Sequence, residues 1–225
     1  MTDQSTGVAD RTVLLAGATS AAGLAVSRDL AAAGARVIVV GSNADRLRGL
    51  TDRVPDAAGY VCDLADFDEV ARLGEKVHAE HGRIDGLIHL VGGWRGGGGL
   101  AGQTDEDWDF LHTRVLTTLR NTTRVFVDDL HASAAGRLAI VSSITLERPM
   151  PGGANYATVK GAAETWVRAI ANGFAKSAPT ASATIFVVRA LDGLESRLAT
   201  EVTGLWDAHA ASGSLVRIPL EPDTP

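Results

Sequence analysis

The sequence of 225 residues is poor in the residue types that several common chemistries need. Cys62 is the only cysteine, so neither a disulfide framework nor a thiolate metal site is expected. The six histidines show no ligand spacing with acidic or thiol partners, which argues against a metal. The net charge of −6, without a basic stripe, argues against a nucleic-acid partner. These absences leave neither a metal nor a nucleic acid as an expected partner.

Long apolar runs and targeting segments are also missing. No run reaches the roughly 18 to 20 residues of a membrane span, and the first eleven residues lack the layout of a signal peptide. We therefore expect a cytoplasmic protein with no membrane partner. The hydrophobic content of 45% is typical of a packed core, with flexible tails expected at residues 1–10 and 221–225. No G-x-S-x-G sequence marks a serine hydrolase.

Short apolar segments alternate with helical segments along the whole chain. The predicted strands are 12–16, 36–40, 59–62, 84–91, 137–141, 183–188 and 214–218. The predicted helices are 21–33, 45–54, 66–81, 105–133, 155–177 and 195–209. Strands that are apolar throughout and separated by helices indicate a parallel sheet covered on both faces. Without repeats or a linker, the pattern predicts the α/β class: a single doubly wound Rossmann domain over residues 1–225, with about seven strands.

A loop of small residues joins the first predicted strand to the first helix. Such a loop lets a dinucleotide pyrophosphate approach the backbone, and the helix N-terminus favours its negative charge. A tight strand–helix turn needs glycines even without a ligand, but the position in the first βα turn favours the nucleotide. The predicted contacts are Gly17, Thr19, Ser20, Ala21 and Gly23.

The next two strand ends bear on which cofactor binds. An acidic residue after the second strand would repel a 2′-phosphate, and here Gly41, Ser42 and Asn43 stand instead, with Arg46 one turn on. This favours NADP without excluding NAD. After the third strand, Asp63 and Leu64 are expected at the adenine; alternatively, Asp63 caps the following helix.

Tyr156 and Lys160 form the candidate catalytic pair. Residues four apart lie on one face of a helix, which places the phenol beside the ammonium. We expect the ammonium to lower the pKa of Tyr156 from about 10, so that it can transfer a proton as a general acid/base. Ser143, thirteen residues upstream, is expected to hydrogen-bond a substrate carbonyl.

With these residues the chain resembles the short-chain dehydrogenase/reductase family. The likeness rests on the glycine loop at Gly17, Ala21 and Gly23, on Asp63, and on Ser143, Tyr156 and Lys160. The resemblance implies hydride transfer between a nicotinamide cofactor and a carbonyl or alcohol. It also implies that Lys160 holds the nicotinamide ribose, that backbone near Leu191 meets the carboxamide, and that the protein is a homodimer or homotetramer.

Residues 90–102, LVGGWRGGGGLAG, follow the fourth predicted strand. The family has Asn-Asn-Ala-Gly beside the cofactor where this chain has residues 89–92, HLVG, so Val91, Gly92 and Gly93 are expected to contact the cofactor. We expect the glycines to let backbone pass close to cofactor and substrate. Trp94 and Arg95 are expected at the mouth of the site, as a stacking face and a charge for the substrate. The wording resembles the dihydropteridine reductase branch, which implies a flat, pterin-like substrate.

Three departures from the family pattern matter. The helical asparagine is replaced by Val115, leaving His112 and Thr118 as candidates for a proton relay. Arg189, after the sixth strand, faces either substrate or solvent, and the short segment 191–195 predicts an open pocket. Two hypotheses follow: an NAD(P)-dependent oxidoreductase of a carbonyl, an alcohol or a pterin-like ring, with Tyr156 as general acid/base, or a catalytically weak NAD(P)-binding regulatory or scaffold protein of the same fold.

Overall fold

The computed structural model describes residues 7–207 and 214–221, and these contain one parallel sheet of seven strands. The spatial order is β3-β2-β1-β4-β5-β6-β7, and every neighbouring pair is parallel. The strands are β1 (Thr12–Ala16), β2 (Arg36–Gly41), β3 (Ala58–Val61), β4 (Gly86–His89), β5 (Arg137–Ser143), β6 (Ser182–Val188) and β7 (Leu215–Pro219). The predicted α/β doubly wound fold with seven strands is confirmed.

Helices cover both faces of the sheet. They are α1 (Ala21–Ala32), α2 (Ala44–Thr51), α3 (Phe67–His81), α4 (Asp105–Leu111), α5 (Thr118–Ala132), α6 (Ala154–Ser177) and α7 (Glu195–Thr203). Successive residues of a strand face opposite sides, so Leu14 packs in the core under α3, α5 and α6, while Leu15 packs under α1, α2 and α7. This burial on both sides explains why the central strands are apolar throughout.

The strand order reverses between the neighbouring strands β1 and β4. From β1 the chain continues to β2 on one side, and from β4 it continues to β5 on the other side. At such a point the two following connections diverge and leave a crevice at the carboxyl ends of the strands. The glycine loop after β1 and the glycine-rich segment after β4 both begin at this crevice.

The ends of the described chain differ from the expectation of flexible tails. Val8 is buried, the Gly7 amide donates to the Trp206 carbonyl at 3.1 Å, and the Asp10 amide donates to the Gly34 carbonyl at 3.0 Å. Residues 7–10 are therefore packed on the domain. Residues 1–6 and 222–225 of the predicted tails lie outside the described residues.

Most predicted elements begin or end within three residues of the bounds in the structure, and three of them differ in form or extent. β4 ends at His89 rather than at residue 91, because the backbone beyond Leu90 leaves the ladder to form the cavity wall. The predicted helix 105–133 is divided by a π-helical turn, His112–Thr117. The last helix ends at Thr203 and is followed by a 3₁₀ turn, Gly204–Trp206; the end predicted at residue 209 lies outside the described residues. No helix in the described part of the chain is long and apolar enough to cross a membrane.

Candidate active site

A cavity of about 1280 Å³ opens at the carboxyl ends of the strands, across the point where their order reverses. Sixteen of the predicted site residues contribute to its wall. On the nucleotide side these are Gly17, Thr19, Ser20, Gly41, Ser42, Asp63, Leu64, Val91, Gly92 and Gly93. On the catalytic side they are Trp94, Ser143, Tyr156, Lys160, Arg189 and Leu191. Ala21, Gly23, Asn43 and Arg95 lie outside this lining.

The loop after β1 is shaped by packing within the protein as well as by the cavity. Gly17 has φ +80°, and a Cβ on it would lie 2.8 Å from the backbone nitrogen of Val91. A Cβ on Gly23 would collide with the Ala18 carbonyl, so the protein itself requires these glycines. Ser20 caps α1 by accepting from the Gly23 amide at 3.0 Å.

The same loop also fits a phosphate group. Thr19 and Ser20 line the cavity at the N-terminus of α1, where the amides of the first turn have no preceding helical carbonyl. A Cβ on Gly92, across the cavity, would meet nothing within 4 Å. The wall is therefore open to a pyrophosphate between the α1 N-terminus and the segment after β4.

After β2, a small residue, a helix cap and an arginine follow one another. A Cβ on Gly41 would lie 2.8 Å from the methyl group of Thr19, which explains glycine there. Asn43, predicted as a cofactor contact, instead caps α2 by accepting from the Arg46 amide at 2.9 Å. The Arg46 side chain is exposed and lines the cavity. The basic group at this end of the site is therefore Arg46.

The two interpretations of Asp63 are separated by the caps of α3. The N-cap of that helix is Asp66, whose side chain accepts from the Glu69 amide at 3.0 Å. Asp63 Oδ1 accepts from the Ala65 amide at 2.9 Å, and Asp63 lines the cavity. Asp63 is thus not the N-cap of α3, which leaves the cofactor-side interpretation.

A buried asparagine that the sequence analysis overlooked supports this loop. Asn121, on α5, donates from Nδ2 to the carbonyls of Leu64 at 3.1 Å and Ala65 at 3.0 Å. It fixes the loop after β3, which lines the cavity through residues 63–65. The available signal was a polar side chain at a core position of an amphipathic helix.

Ser143, Tyr156 and Lys160 meet at one wall of the cavity, as their spacing predicts. Ser143 closes β5, while Tyr156 and Lys160 occupy successive turns of α6. The Lys160 Nζ donates to the Val141 carbonyl at 2.7 Å and lies 5.8 Å from the centroid of the Tyr156 ring. Ser143 Oγ accepts from the hydroxyl of Thr145 at 3.0 Å. A substrate oxygen at this wall can contact hydroxyls from two elements.

The expected lowering of the Tyr156 pKa is wrong, because the pKa is raised in this structure. Burial raises the pKa of Tyr156 above its usual 10, and a hydrogen bond from Ser143 offsets this only in part. Burial also lowers the pKa of Lys160 to about 8, partly opposed by the charge of Glu164. Both groups are removed from water, so the neutral phenol is favoured. Tyr156 therefore keeps its proton at neutral pH.

Of the three residues predicted to contact the substrate, two line the cavity and one does not. Trp94 is 65% exposed and lines the cavity, and Arg189 is also exposed and lines it. The Arg95 guanidinium instead lies 3.9 Å from the centroid of the Phe110 ring and pairs with Glu106 at 3.1 Å. Arg95 therefore holds the segment against α4, away from the cavity wall.

The glycines after Arg95 contact the protein's own backbone. A Cβ on Gly96 would collide with the Gly152 carbonyl, to which the Gly97 amide donates at 2.7 Å. Gln103 Nε2 donates to that carbonyl at 3.1 Å, and Gln103 Oε1 accepts from the Asn155 amide at 3.1 Å. Residues 92–93 line the cavity, and their approach to a ligand stays a prediction, whereas residues 96–97 lie close to the turn before α6.

The π-helical turn brings forward residues that were not predicted. Val115 is buried in the core, and His112 stacks on Trp108 outside the cavity lining, so only Thr118 of the two relay candidates reaches the site. Arg114 lines the cavity and donates from Nε to the Gly92 carbonyl at 3.2 Å. π-helical turns are frequent at functional sites, but the sequence pattern does not reveal them. This is why Arg114 was not predicted as a site residue.

The glycine loop, the carboxylate of Asp63 and the Ser143–Tyr156–Lys160 wall all lie within a segment that is similar to known sequences. The profile described as short chain dehydrogenase matches residues 11–185, well over half of the chain. The chain belongs to the short chain dehydrogenase family. It is 31% identical to the 3-oxoacyl-(acyl-carrier-protein) reductase FabG of Thermotoga maritima over 166 residues, 70% of this chain and 67% of that protein.

Other members of the family agree in sequence and in fold. Nodulation protein G of Rhizobium meliloti is 31% identical over 151 residues, 67% of this chain and 61% of that protein. Among the first curated relatives, the matched segment covers between 32% and 67% of the relative's own length. A metagenomic short-chain oxidoreductase in complex with NADP superimposes with TM-score 0.83 at 23% identity, covering 95% of this chain and 99% of that one. A Mycobacterium ulcerans family member has TM-score 0.83 at 20% identity, covering 95% and 90%.

Proposed function

We propose that this short chain dehydrogenase is an NAD(P)-dependent oxidoreductase that reduces a carbonyl group, or oxidises the corresponding alcohol, with Tyr156 as general acid/base. The observation that supports this most directly is the meeting of Ser143, Tyr156 and Lys160 in the same cavity wall that continues to the loop after β1. A bound dinucleotide would supply the hydride. A carbonyl substrate is favoured because a similar protein is a 3-oxoacyl reductase.

The cofactor is held along the ends of β1 to β4. Residues 17, 19 and 20 line the cavity and would hold the pyrophosphate, while Asp63 and Leu64, also in the lining, would hold the adenine. We favour NADP over NAD because Arg46 lines the cavity beyond Ser42, where an acidic residue would repel a 2′-phosphate. The NADP complex of a protein with the same fold agrees with this preference. Val91, Gly92, Gly93 and Leu191 also line the cavity and would offer backbone groups to the nicotinamide.

The side chains divide the acid–base work. Ser143 orients the carbonyl oxygen, and Tyr156, protonated because burial raises its pKa, donates its proton to that oxygen as charge develops there. The Lys160 ammonium stabilises the phenolate that remains and binds the ribose hydroxyls. A raised pKa suits Tyr156 to the reductive direction, because the proton is in place before the substrate arrives.

Trp94 bears on the shape of the substrate. Its exposed ring in the cavity lining offers a face for stacking, and Arg189 adds a positive charge to the same lining. A flat ring, such as a pterin or an aromatic ketone, fits this pair. The intact Ser143 favours a ketone carbonyl within that class, because it provides the hydroxyl contact that a carbonyl oxygen needs.

The decisive experiment replaces Tyr156 by Phe. The wild-type protein should oxidise NADPH with at least one member of a panel of ketones, quinones and quinonoid pterins. The Tyr156→Phe variant should lose at least about 100-fold in kcat, in the range of general acid–base catalysis, while its Kd for NADPH stays within about twofold. A wild-type protein that binds NADPH but reduces none of the panel would favour the regulatory alternative. Equal turnover by the two proteins would remove Tyr156 from the mechanism.

A further inference from the structure

The π-helical turn His112–Thr117 places in the cavity wall an arginine that the proposed mechanism does not use. Arg114 lines the cavity with an exposed side chain, and the hydroxyl of Thr118 donates to its backbone carbonyl at 2.6 Å. Its Nε donates to the Gly92 carbonyl at 3.2 Å, and its guanidinium carbon lies 5.4 Å from the centroid of the Phe110 ring. Because these contacts hold the guanidinium in place before a ligand arrives, binding to it costs less conformational entropy.

The charge of Arg114 has no carboxylate partner in the described part of the chain. Arg95, which stacks on the same aromatic ring, pairs with Glu106 at 3.1 Å and with Asp107 at 3.5 Å. Arg114 forms no such ion pair within the residues that the structure describes, and its hydrogen bond to Gly92 uses Nε alone. The remaining N–H groups of its guanidinium are therefore available to an anion in the cavity.

Arg114 lies close to the loop that is expected to bind the pyrophosphate. Gly17, in that loop, packs on Val91, because a Cβ on Gly17 would lie 2.8 Å from the Val91 nitrogen. The next residue, Gly92, accepts the hydrogen bond from Arg114 and lines the cavity. The loop itself, residues 16–23, contains no basic side chain, so its amides and the N-terminus of α1 alone would face the negative charge. A cation beside Gly92 adds the charge that the loop lacks.

We propose that Arg114 binds the pyrophosphate of the dinucleotide from the segment after β4, while the N-terminus of α1 binds it from the loop after β1. A guanidinium has parallel N–H groups that match two oxygens of one phosphate. Of the other arginines in the lining, Arg46 is assigned to the 2′-phosphate and Arg189 to the substrate, so each cation has its own anionic group. The inference rests on the proposed function, because it requires a bound dinucleotide. NADPH and NADH both have the pyrophosphate, so Arg114 contributes to the affinity for both.

Arg114→Met is the sharpest variant, and Arg120→Met is its matched control. Arg114→Met keeps an unbranched side chain without the guanidinium, so its Kd for NADPH, NADH and ADP-ribose should each rise about tenfold by titration calorimetry. Its Tm without ligand should stay near the wild-type value, because the side chain is exposed. Arg120 is also exposed and lies 6.0 Å from the Trp166 ring, but it is outside the cavity lining. Arg120→Met should leave all three Kd values unchanged.

Arg114→Lys separates the charge of the side chain from its bond to Gly92. The lysine keeps a positive charge, so its Kd values should lie between those of the wild type and Arg114→Met. Equal losses in the two variants would show that only the bond to Gly92 matters and would overturn the proposal. Wild-type Kd values in Arg114→Met would also overturn it. If the only change in Arg114→Met is a higher KM for an anionic substrate, Arg114 binds the substrate and the inference is wrong.

A crystal structure of the NADPH complex gives a readout independent of affinity. The Arg114 guanidinium should lie within hydrogen-bonding distance of a pyrophosphate oxygen, and a guanidinium turned away from it would overturn the inference. A wild-type protein that binds NADPH through Arg114 but reduces no substrate would count against the proposed function alone. Carbonyl reduction by the wild type, with both dinucleotides bound as tightly by Arg114→Met, would count against the inference alone. A wild-type protein that binds neither dinucleotide would overturn both.

Discussion

The charge of Lys160 depends on two opposing effects of its surroundings. Burial lowers its pKa to about 8, and the neighbouring carboxylate of Glu164, also buried, raises it. Above that pH the ammonium loses its proton and no longer stabilises the phenolate of Tyr156. The phenol itself keeps its proton through this range, because its own pKa is raised above 10.

We therefore expect kcat for carbonyl reduction to fall as the pH rises through about 8. Glu164→Gln removes the charge that raises the Lys160 pKa, so the fall should begin at a lower pH in that variant. The measurement is kcat against pH at saturating cofactor, with Tm recorded at each pH. Glu201→Gln is the control, since it breaks an ion pair of the same spacing on α7, away from the cavity lining. The same pH profile in wild type and Glu164→Gln would contradict the assignment.

At the scale of residues, the sequence spacing predicted which side chains lie close together, but it could not predict how their surroundings change their pKa values. The proximity of Tyr156 and Lys160 follows from the helical period alone, so it could be predicted. The direction of the Tyr156 pKa could not, because it depends on water excluded by other elements of the fold. Arg95 and Arg114 show the same limit: both lie near the glycine-rich segment, but acidic residues of α4 bind the first, and the second lines the cavity.

At the scale of elements, Gln103 connects the glycine-rich segment to the helix that bears Tyr156. Its amide nitrogen donates to the carbonyls of Gly97, Gly99 and Gly152 at 3.0, 3.2 and 3.1 Å. Its amide oxygen accepts from the backbone of Asn155, in the first turn of α6. One side chain thus holds a segment that lacks side chains of its own for packing.

Replacing Gln103 by Ala should loosen this segment without unfolding the domain. We expect the KM for substrate to rise several-fold, because Trp94 at the mouth is no longer held in place, whereas the Kd for NADPH stays within about twofold. Gln103→Glu keeps the acceptor for Asn155 and loses the donors, so its KM should lie between the values of the wild type and Gln103→Ala. Cleavage by a protease near Leu100, an exposed residue, should become faster in Gln103→Ala. Wild-type KM and cleavage rate in that variant would contradict this role.

The elements that the sequence predicted poorly are those whose form depends on distant backbone. The sequence from residue 105 to residue 133 predicts one continuous helix, but a π-helical turn at His112–Thr117 interrupts it. The turn was not predicted because its residues fit the same helical pattern as the residues on either side. The glycines at 96–99 were assigned to a ligand, since nothing in the sequence indicates that the backbone of Gly152 lies opposite them. Strands and regular helices, in contrast, were predicted from the pattern of apolar residues in the sequence.

At the scale of the whole molecule, the sheet order determines where a dinucleotide can bind. The strands are buried on both faces, so their apolar runs were sufficient to predict a parallel sheet, and the first βα loop then located the crevice. Assembly into a homodimer or homotetramer stays a prediction from the family resemblance. Light scattering after size-exclusion chromatography measures the mass of the assembly against the 23.4 kDa of one chain.

Binding across this crevice predicts a cofactor-dependent stability of the whole domain. A ligand at about 100 times its Kd stabilises the folded state by about 2.7 kcal/mol, which for a domain of this size raises Tm by roughly 5 to 11 °C. NADPH should produce this shift in wild type and in Tyr156→Phe, because the phenol is needed for proton transfer rather than for the nucleotide. Arg46→Ala should reduce the shift with NADPH and leave the shift with NADH unchanged, since only NADPH has the 2′-phosphate that we propose Arg46, in the cavity lining, binds. Equal losses with both cofactors would show that Arg46 acts elsewhere on the nucleotide, and no shift with either would contradict a dinucleotide site at the reversal of the sheet order.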